Sequence, residues 1–581
     1  MNKTRIAKWM VTVSVTAAVL GGLVASTKTA QAAPKLKLEY KNDKSAKKDA
    51  TLRIGYADDG SFKGVFAPEL SNDAATSEVS QFGTVGLFKV DDNYKFVKGG
   101  LADVDFDREN KTATIKVSDK ANWSDGQPVV ARDLVFAYEI IANKESGSAR
   151  YTDQLANIVG MEEYHAGKAD AISGLEVKDD KTLVVHFKEM APTMGTSGAG
   201  YIWEYAEPYH YLKDVAMKDL ASNDKLRKEP LFYGPFKIKK MVQGESIEWV
   251  PNTYYSQKPK VKKLTVETVS TSQAAAAVKA GKYDILLNQT PQVYDAVKNE
   301  KDFVQLGKPM LYYSYMGFRV GTVDKDGNSV MDKTAVTKDR ALRQAMAYAM
   351  NIDQVQEKFG YGLSYRANTL VPAAFGKWND KHATGYKLNM KKAKALLDEA
   401  GYKVQKDGYR TQPNGKKLTL TLMANKSSKN FEASVKNYIQ QWKELGVRVK
   451  LMNGRFQEFN SMSEKLISGA KDFDIWMGAW STSSEPTDVA ANYSKTSAYN
   501  FGHFVTKENT ELINSLSSEK AFDENYRRKQ LYKWQEYMNK EAFIVPMTFT
   551  HSTISVSKDV KGMTLDVSDS DTLWSDVALT K

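Results

Sequence analysis

The stretch KLTVETVSTSQAAAAVKAGKYDILL, residues 263–287, decides the fold class. Its first seven residues alternate as a strand does, an alanine-rich helical segment then ends at Gly281, and residues 283–287 return as a second strand. A strand, a helix and a strand in that order form a βαβ unit, which implies parallel pairing. Residues 418–451 repeat the order, with strands at 418–423 and 447–451 around a helix at 431–445. The sequence therefore predicts an α/β protein.

Other segments extend this pattern on both sides. TLRIGYA, residues 51–57, predicts a first strand, and the polar loop after it, which contains Asp58, Asp59, Gly60 and Phe62, is a candidate wall of a ligand site. The remaining predicted elements are two strands within 236–250 around Gln243-Gly244, helices at 339–352, 390–400 and 459–467, and a strand at 473–480. Alternating runs at 113–117 and 182–187, with a helix at 131–142, predict a small α+β insertion over 86–207.

The first 33 residues read as an export signal. Basic residues (Lys3, Arg5, Lys8) precede an apolar stretch at 9–25, and Ala30-Gln31-Ala32 provides a small-residue cleavage site. We expect a signal peptide over 1–32, cut after Ala32; a retained membrane anchor is the alternative. The chain has no cysteine, so we expect no disulfide, no thiolate metal site and no lipid anchor on an N-terminal cysteine.

The charge of the chain is mildly basic. It carries 82 Lys+Arg against 70 Asp+Glu, and four of the basic residues lie in the signal segment. A dense lysine cluster follows the expected cut, made of Lys35, Lys37, Lys41, Lys44, Lys47 and Lys48. We interpret 33–50 as a basic flexible segment, which is either a solvated tail or a site for anionic cell-wall polymers. Nucleic acid is not an expected partner of an exported chain.

Motifs for catalysis or cofactor binding are missing from the sequence. It contains no His-Glu-x-x-His, no Gly-x-Ser-x-Gly, no phosphate-binding loop and no Gly-x-Gly-x-x-Gly. The six histidines have no metal-ligand spacing, and we expect no metal and no cofactor. We expect no enzyme activity, although a glycosidase pair of carboxylates from distant segments stays open.

Several blocks, in order along nearly the whole mature chain, resemble a known family. They are NWSDGQPV (122–129), GPFKI (234–238), NTYY (252–255), DRALRQA (339–345), KAKALLDEAGY (392–402), FDI (473–475) with Trp480, and Pro546. The chain is similar to the extracellular solute-binding proteins of family 5, closest to the oligopeptide-binding components of ABC importers. Most of these blocks have structural roles of their own, such as a turn at Trp123 and a helix stop at Gly401.

The resemblance implies a two-lobe fold like that of periplasmic binding proteins (class II, cluster C), with a small extra subdomain on lobe I. Lobe I would comprise 51–85, 208–304 and 544–581, the subdomain 86–207, and lobe II 305–543. Crossings near 306–315 and 543–550 would form the hinge.

The resemblance also implies that an oligopeptide lies extended in the cleft, that closure of the lobes buries it, and that the permease of an ABC importer receives it from a monomeric protein. The expected ligand-binding residues are Asp58, Gly60, Ser61, Phe62, Tyr151, Tyr313, Tyr315, Gly478, Ala479, Trp480, Ser481, Thr482, Ser483 and Asn500.

Binding at the peptide's amino end is expected to lack a charged anchor. Family members that bind this group have an acidic residue just beyond the tryptophan that matches Trp480. Here Ser481-Thr482-Ser483-Ser484 precede Glu485, so hydroxyl groups stand where that acid is expected. Glu485, Asp58 or Asp59 supplying the charge is the alternative. A receptor for peptide signals, a secreted hydrolase such as a peptidase, and a surface adhesin are the other functions left open.

Overall fold

A twelve-stranded mixed sheet runs through the structure, a computed structural model that describes residues 34–580. The expected signal peptide over 1–32 lies outside the described residues. The strands are β1 Thr51–Ala57, β2 Lys89–Val90, β3 Phe96–Val97, β4 Ala102–Asp107, β5 Thr112–Val117, β6 Leu175–Asp179, β7 Thr182–His186, β8 Phe236–Val242, β9 Ser246–Pro251, β10 Lys263–Val269, β11 Ile285–Gln289, β12 Phe303–Pro309, β13 Tyr312–Phe318, β14 Gly321–Val323, β15 Ser329–Met331, β16 Ser364–Arg366, β17 Thr419–Met423, β18 Arg448–Leu451, β19 Ile475–Ser481, β20 Ile544–Ser557, β21 Val560–Lys561 and β22 Ala578–Leu579.

Helices cover the sheet. They are α1 Ala74–Ser80, α2 Ala131–Ala142, α3 Asp153–Ala156, α4 Met161–His165, α5 Tyr209–Leu212, α6 Asp224–Arg227, α7 Thr271–Lys279, α8 Pro291–Val297, α9 Arg340–Tyr348, α10 Ile352–Phe359, α11 Met390–Glu399, α12 Lys429–Glu444, α13 Phe459–Ile467, α14 Ala490–Tyr493, α15 Lys507–Leu516, α16 Glu524–Glu541 and α17 Leu573–Asp576.

Strand β20 joins the two halves of the sheet. Ten strands follow the order β18-β17-β19-β13-β20-β11-β1-β10-β9-β8, and the other two, β12 and β16, both pair with β20. The first residues of β20 pair with β13, and its last residues pair with β11 and β12. Pro546 sits where the register between β13 and β20 shifts, a place that tolerates proline because proline donates no ladder hydrogen bond. The predicted crossings at 306–315 and 543–550 fall on β12, β13 and β20, which connect the two lobes.

Of the five hydrophobic clusters among the described residues, the three largest lie beneath these elements. One is built around Trp249 and Leu264, a second around Trp442 and Trp476, and a third around Trp123, where β4-β5-β7-β6 form an antiparallel sheet beside α2. The fold is the predicted two-lobe α/β architecture with an α+β insertion. We keep as a proposal the lobe boundaries of 51–85, 208–304 and 544–581 for lobe I, 86–207 for the insertion and 305–543 for lobe II. The first half of β20, with Ile544 and Phe549, packs in the core around Trp442 and Trp476, because this strand crosses between the lobes.

Both predicted βαβ units are present, with one difference in pairing. Strands β17 and β18 pair directly and in parallel. Strands β10 and β11 do not pair with each other, because β1 lies between them and is parallel to both. The first predicted strand is therefore the centre of the lobe I unit.

The helix predicted over 339–352 is α9, which ends at Tyr348, and a second helix, α10, begins at Ile352. The Asp339 side chain caps α9 by accepting from the Ala341 amide. The Asn351 side chain caps α10 by accepting from the Gln354 amide, which starts a new helix after a short break.

The prediction of a flexible segment over 33–50 is corrected for residues 34–50. The Tyr40 amide donates to Met563 O at 3.2 Å, and the Lys47 amide donates to Leu579 O at 2.7 Å. The side-chain amide of Asn42 donates to Lys558 O at 2.9 Å. These bonds hold the segment against lobe I, while its lysine side chains stay exposed.

Candidate functional site

A cleft of about 900 Å³ lies between the lobes. Strands β13, β19 and β20 provide its floor, and residues 290–292, at the start of α8, reach it from lobe I. The cleft therefore lies beside the strands that connect the lobes, where relative motion of the lobes changes its width.

The edge of β19 is open inside this cleft. On one side, all seven residues of β19 pair with β13. On the other side, β17 pairs only with Ile475 and Trp476, and among the described residues no strand pairs with 477–481 on that side. Backbone groups at such an edge are available to an added extended chain.

Stacked aromatic rings form one wall of the cleft. The rings of Tyr315 and Trp480 are stacked with centroids 6.4 Å apart, and those of Trp480 and Phe501 are stacked at 5.4 Å. Tyr499 packs edge-on against Trp480 and is half exposed. These rings offer a broad apolar face beside the open edge of β19.

An apolar pocket continues from this wall towards α12 and α13. Helix α12 contributes Phe431, Val435 and Tyr438, and helix α13 contributes Phe459, Met462, Leu466 and Ile467. The Phe459 side chain is 64% exposed and that of Ile467 is 44% exposed. Large apolar side chains exposed together at a cleft are typical of a binding site for an apolar group.

A second cavity of about 380 Å³ adjoins the first and shares Trp480 and Tyr499 with it. Its wall includes Tyr313, whose Oη lies 2.6 Å from Tyr493 Oη. Asp488 is exposed towards this cavity. Protein surrounds its other sides, and the resulting loss of solvation, helped by the negative charge of Glu485, raises the pKa of Asp488 to about 6.

Most of the predicted residues of lobe II meet at these two cavities. Tyr315, Gly478, Ala479 and Trp480 line the first. Tyr313, Trp480, Ser481, Thr482 and Ser483 line the second.

The predicted loop after β1 lines neither cavity. Asp58 accepts from the Gly60 amide at 3.1 Å, and Phe62 is buried in the core of lobe I. Ser61 is exposed beside Gly244. Asp59 accepts from the amide and hydroxyl of Thr271, which lowers its pKa, so this carboxylate binds the first residue of α7.

Tyr151 and Asn500 also lie outside both cavities. The Tyr151 ring stacks on His165 with centroids 3.8 Å apart, within the insertion. The Asn500 side chain is buried and donates to Ser494 O and Phe504 O. Its neighbours Tyr499 and Phe501 are the residues that face the cleft.

The sequence reasoning missed the apolar pocket and Asp488. The helix at 459–467 was predicted, and its spacing of Phe459, Met462 and Leu466 was the available signal, but that spacing is also typical of a helix packed on a core. Asp488 follows the Glu485-Pro486-Thr487 run, and no sequence pattern around it distinguishes it from an ordinary surface acid.

Among residues 34–580 no group of three or more His, Asp or Glu residues is placed to hold a metal ion. In the same range, no helix has the length and apolar character needed to cross a membrane.

The family model of the bacterial extracellular solute-binding proteins, family 5 Middle, matches residues 97–501. The oligopeptide-binding protein OppA of Lactococcus lactis subsp. cremoris is 42% identical over 595 residues, which cover 100% of this chain and 99% of the relative. The oligopeptide-binding protein AppA of Bacillus subtilis is 25% identical over 80% of both chains.

Two solved structures share the fold of this chain. Lactococcal OppA complexed with an endogenous peptide in the closed conformation has a TM-score of 0.76 and 44% identity, covering 91% of this chain and 100% of the other. Bacillus subtilis AppA in complex with a nonapeptide has a TM-score of 0.65 at 20% identity, covering 92% and 100%. With the family match over residues 97–501 and full-length similarity at 42% identity, the chain belongs to the bacterial extracellular solute-binding proteins of family 5.

Proposed function

We propose that this exported protein binds oligopeptides outside the cell and delivers them intact to the permease of an ABC importer. The observation that carries the proposal is the open edge of β19 at residues 477–481 within the cleft. An extended peptide that adds to this edge forms main-chain hydrogen bonds that do not depend on its sequence. The site we propose comprises Tyr313, Tyr315 and residues 478–483.

The two cavities have different roles in this proposal. The apolar pocket of α12 and α13 accepts one bulky apolar side chain, because burying such a group contributes roughly 25 cal/mol per Å² of area removed from water. The second cavity has a more polar wall, with serine and threonine hydroxyls and Asp488. It takes peptide side chains together with water, which tolerates many sequences.

The relatives support this proposal. The lactococcal relative is named as an oligopeptide-binding protein, and its structure contains an endogenous peptide. We propose that the present chain works as a monomer, performs no chemistry on its ligand, and stays at the cell surface or in a periplasm without a lipid anchor.

We further propose that anionic cell-wall polymers hold the protein at the surface through its lysine cluster. Backbone bonds from the 34–50 segment to residues 563 and 579 fix the cluster on lobe I. The six lysine side chains are exposed, and a fixed array of positive charges attracts a polyanion more strongly than a mobile tail of the same charge.

Backbone N-methylation of the ligand tests the proposed function. A peptide with a single bulky apolar residue is compared by calorimetry with a set of isomers, each N-methylated at one amide. We expect alternate amides to be sensitive, because successive amides of an added strand point to opposite sides. Affinity that is unchanged by every methylation would contradict binding at the β19 edge, and binding of sugars instead of peptides would contradict the ligand class.

A further inference from the structure

Direct contacts join the insertion to lobe II, in addition to the connection through the hinge strands. Lys95 of the insertion forms an ion pair with Glu524 at the start of α16. Arg108 of the insertion forms an ion pair with Glu519. These two ion pairs connect the insertion of lobe I to lobe II, which the hinge strands β12, β13 and β20 also connect.

Glu524 is held from both sides. One carboxylate oxygen pairs with Lys95, and the other pairs with Lys377 of lobe II. The hydrogen bond from Lys377, followed by that from Lys95, lowers the pKa of Glu524 to about 2. The carboxylate is therefore ionised at neutral pH, and Lys377 holds it in position for Lys95.

Contacts other than ion pairs extend the same interface. The Arg108 guanidinium carbon lies 3.7 Å from the centroid of the Phe522 ring, within cation–π range. Arg527 donates to Pro192 O at 2.9 Å.

The interface also reaches the wall of the ligand site. The Ser484 hydroxyl donates to Ser197 O at 2.6 Å. Ser484 directly follows Ser483, which lines the second cavity. We expect opening of the lobes to separate these groups, in which case the contacts stabilise the closed form only.

We propose that the insertion acts as a charged latch that slows opening of the cleft and so sets how long a ligand stays bound. The latch consists of Lys95 and Arg108 on the insertion and Glu519, Phe522 and Glu524 on lobe II. The latch proposal depends on the proposed function in one respect only, namely that the bound ligand is a peptide. The ion pairs of the latch are partly exposed, so salt weakens them. Ionic strength therefore controls ligand release without any change at the residues that touch the ligand.

Charge reversal tests the latch. In Glu524→Lys and in Lys95→Glu we expect the dissociation rate of a bound peptide to rise about three- to tenfold, because reversal removes the attraction of an exposed pair and adds repulsion. The double variant Lys95→Glu/Glu524→Lys restores the pair across the interface but leaves Lys377 beside a lysine, so its dissociation rate should lie below that of either single variant. Glu536→Lys, an exposed change of the same charge on the same helix, is the matched control and should leave the rate unchanged.

Glu524 is also the first residue of α16, so its replacement by lysine affects the helix dipole. Glu524→Gln keeps the size of the side chain, and the melting temperature of each variant shows whether lobe II stays folded. For the original chain, the dissociation rate should increase with salt, and Glu524→Gln should flatten that dependence. Equal rates for the original chain and both Glu524 variants, or additive effects in the double variant, would overturn the latch.

A crosslink measures the closed contact without any ligand. The Cβ position of residue 198 lies 3.7 Å from Ser484 Cβ, within the range of a disulfide, and the chain has no cysteine. Gly198→Cys/Ser484→Cys should crosslink faster with Glu524 than with Glu524→Lys, the strain of a side chain at Gly198 being common to both. This difference is expected even if the ligand is not a peptide, so failure of the latch and failure of the proposed function are distinguishable. Equal crosslinking rates would overturn the latch.

Discussion

Gly478 and Tyr315 are cross-strand partners in the cleft, and a Cβ added at Gly478 would stand 2.7 Å from Tyr315 Oη. The tyrosine ring covers the glycine because no side chain separates them. The Tyr315 ring in turn stacks on Trp480. The position of the aromatic wall therefore depends on the absence of a side chain at residue 478.

Gly478→Val should weaken peptide binding about tenfold. A side chain forced into a packed contact costs about 1–3 kcal/mol, and here it displaces Tyr315 into the cleft. Calorimetry with one peptide measures the change. Gly195→Ala, at a glycine with no atom within 4 Å of the added Cβ, is the control, and an equal loss in that variant would show that the effect is not local.

Phe459→Glu should weaken binding of peptides that carry a bulky apolar residue by about tenfold, because a carboxylate at the pocket mouth loses solvation when an apolar group covers it. A peptide with glycine in place of that residue should lose less than about twofold. Because Phe459 is exposed, its replacement should leave the fold intact. Val404→Glu, an exposed apolar position on lobe II that lines neither cavity, controls for added charge; equal losses for both peptides would argue against this pocket.

The secondary structure was predictable because its signals are local. The strand at 51–57 and the helices at 131–142 and 459–467 have the bounds that their periodicity indicated. The pairing of β10 with β1 instead of β11 was not predictable, because no local pattern identifies the strand that lies between two others.

The candidate site was predictable on β19 and less so elsewhere. Residues 478–483 were identified through the resemblance around Trp480, and they line the cavities. Asn500 was predicted to line the site, but its two neighbours, Tyr499 and Phe501, line it instead. The sequence does not show which of three consecutive side chains points towards the cleft. The loop after β1, predicted from the resemblance, lines neither cavity, and its Asp59 accepts from Thr271.

Acetylation of a peptide's amino end should change its affinity less than about twofold at both pH 5 and pH 7.5. Asp58 and Asp59 line neither cavity. Glu485 lines the second cavity but is buried and already accepts from the amide and hydroxyl of Thr487, so we expect none of the three to anchor an ammonium group. Asp488 is the test case. Its pKa of about 6 makes it neutral at pH 5 and charged at pH 7.5. A loss on acetylation that appears only at pH 7.5 and disappears in Asp488→Asn would show that Asp488 anchors the amino end.

High salt should release the protein from whole cells. The Debye length falls from about 10 Å at 0.1 M salt to about 3 Å at 1 M, which screens an exposed lysine array. Changing Lys35, Lys37, Lys44, Lys47 and Lys48 to Gln should release the protein at low salt. A control variant changes five exposed lysines of lobe II, Lys387, Lys391, Lys394, Lys403 and Lys406, and should stay bound. Equal retention of both variants would show that the cluster does not hold the protein.

Mass spectrometry of the ligand tests the central claim most directly. The mature protein is incubated with a pool of oligopeptides, separated from unbound material and denatured, and the released molecules are identified. The account predicts intact peptides of mixed sequence, enriched in bulky apolar residues, at about one per protein molecule. Cleaved fragments, or sugars in place of peptides, would contradict it.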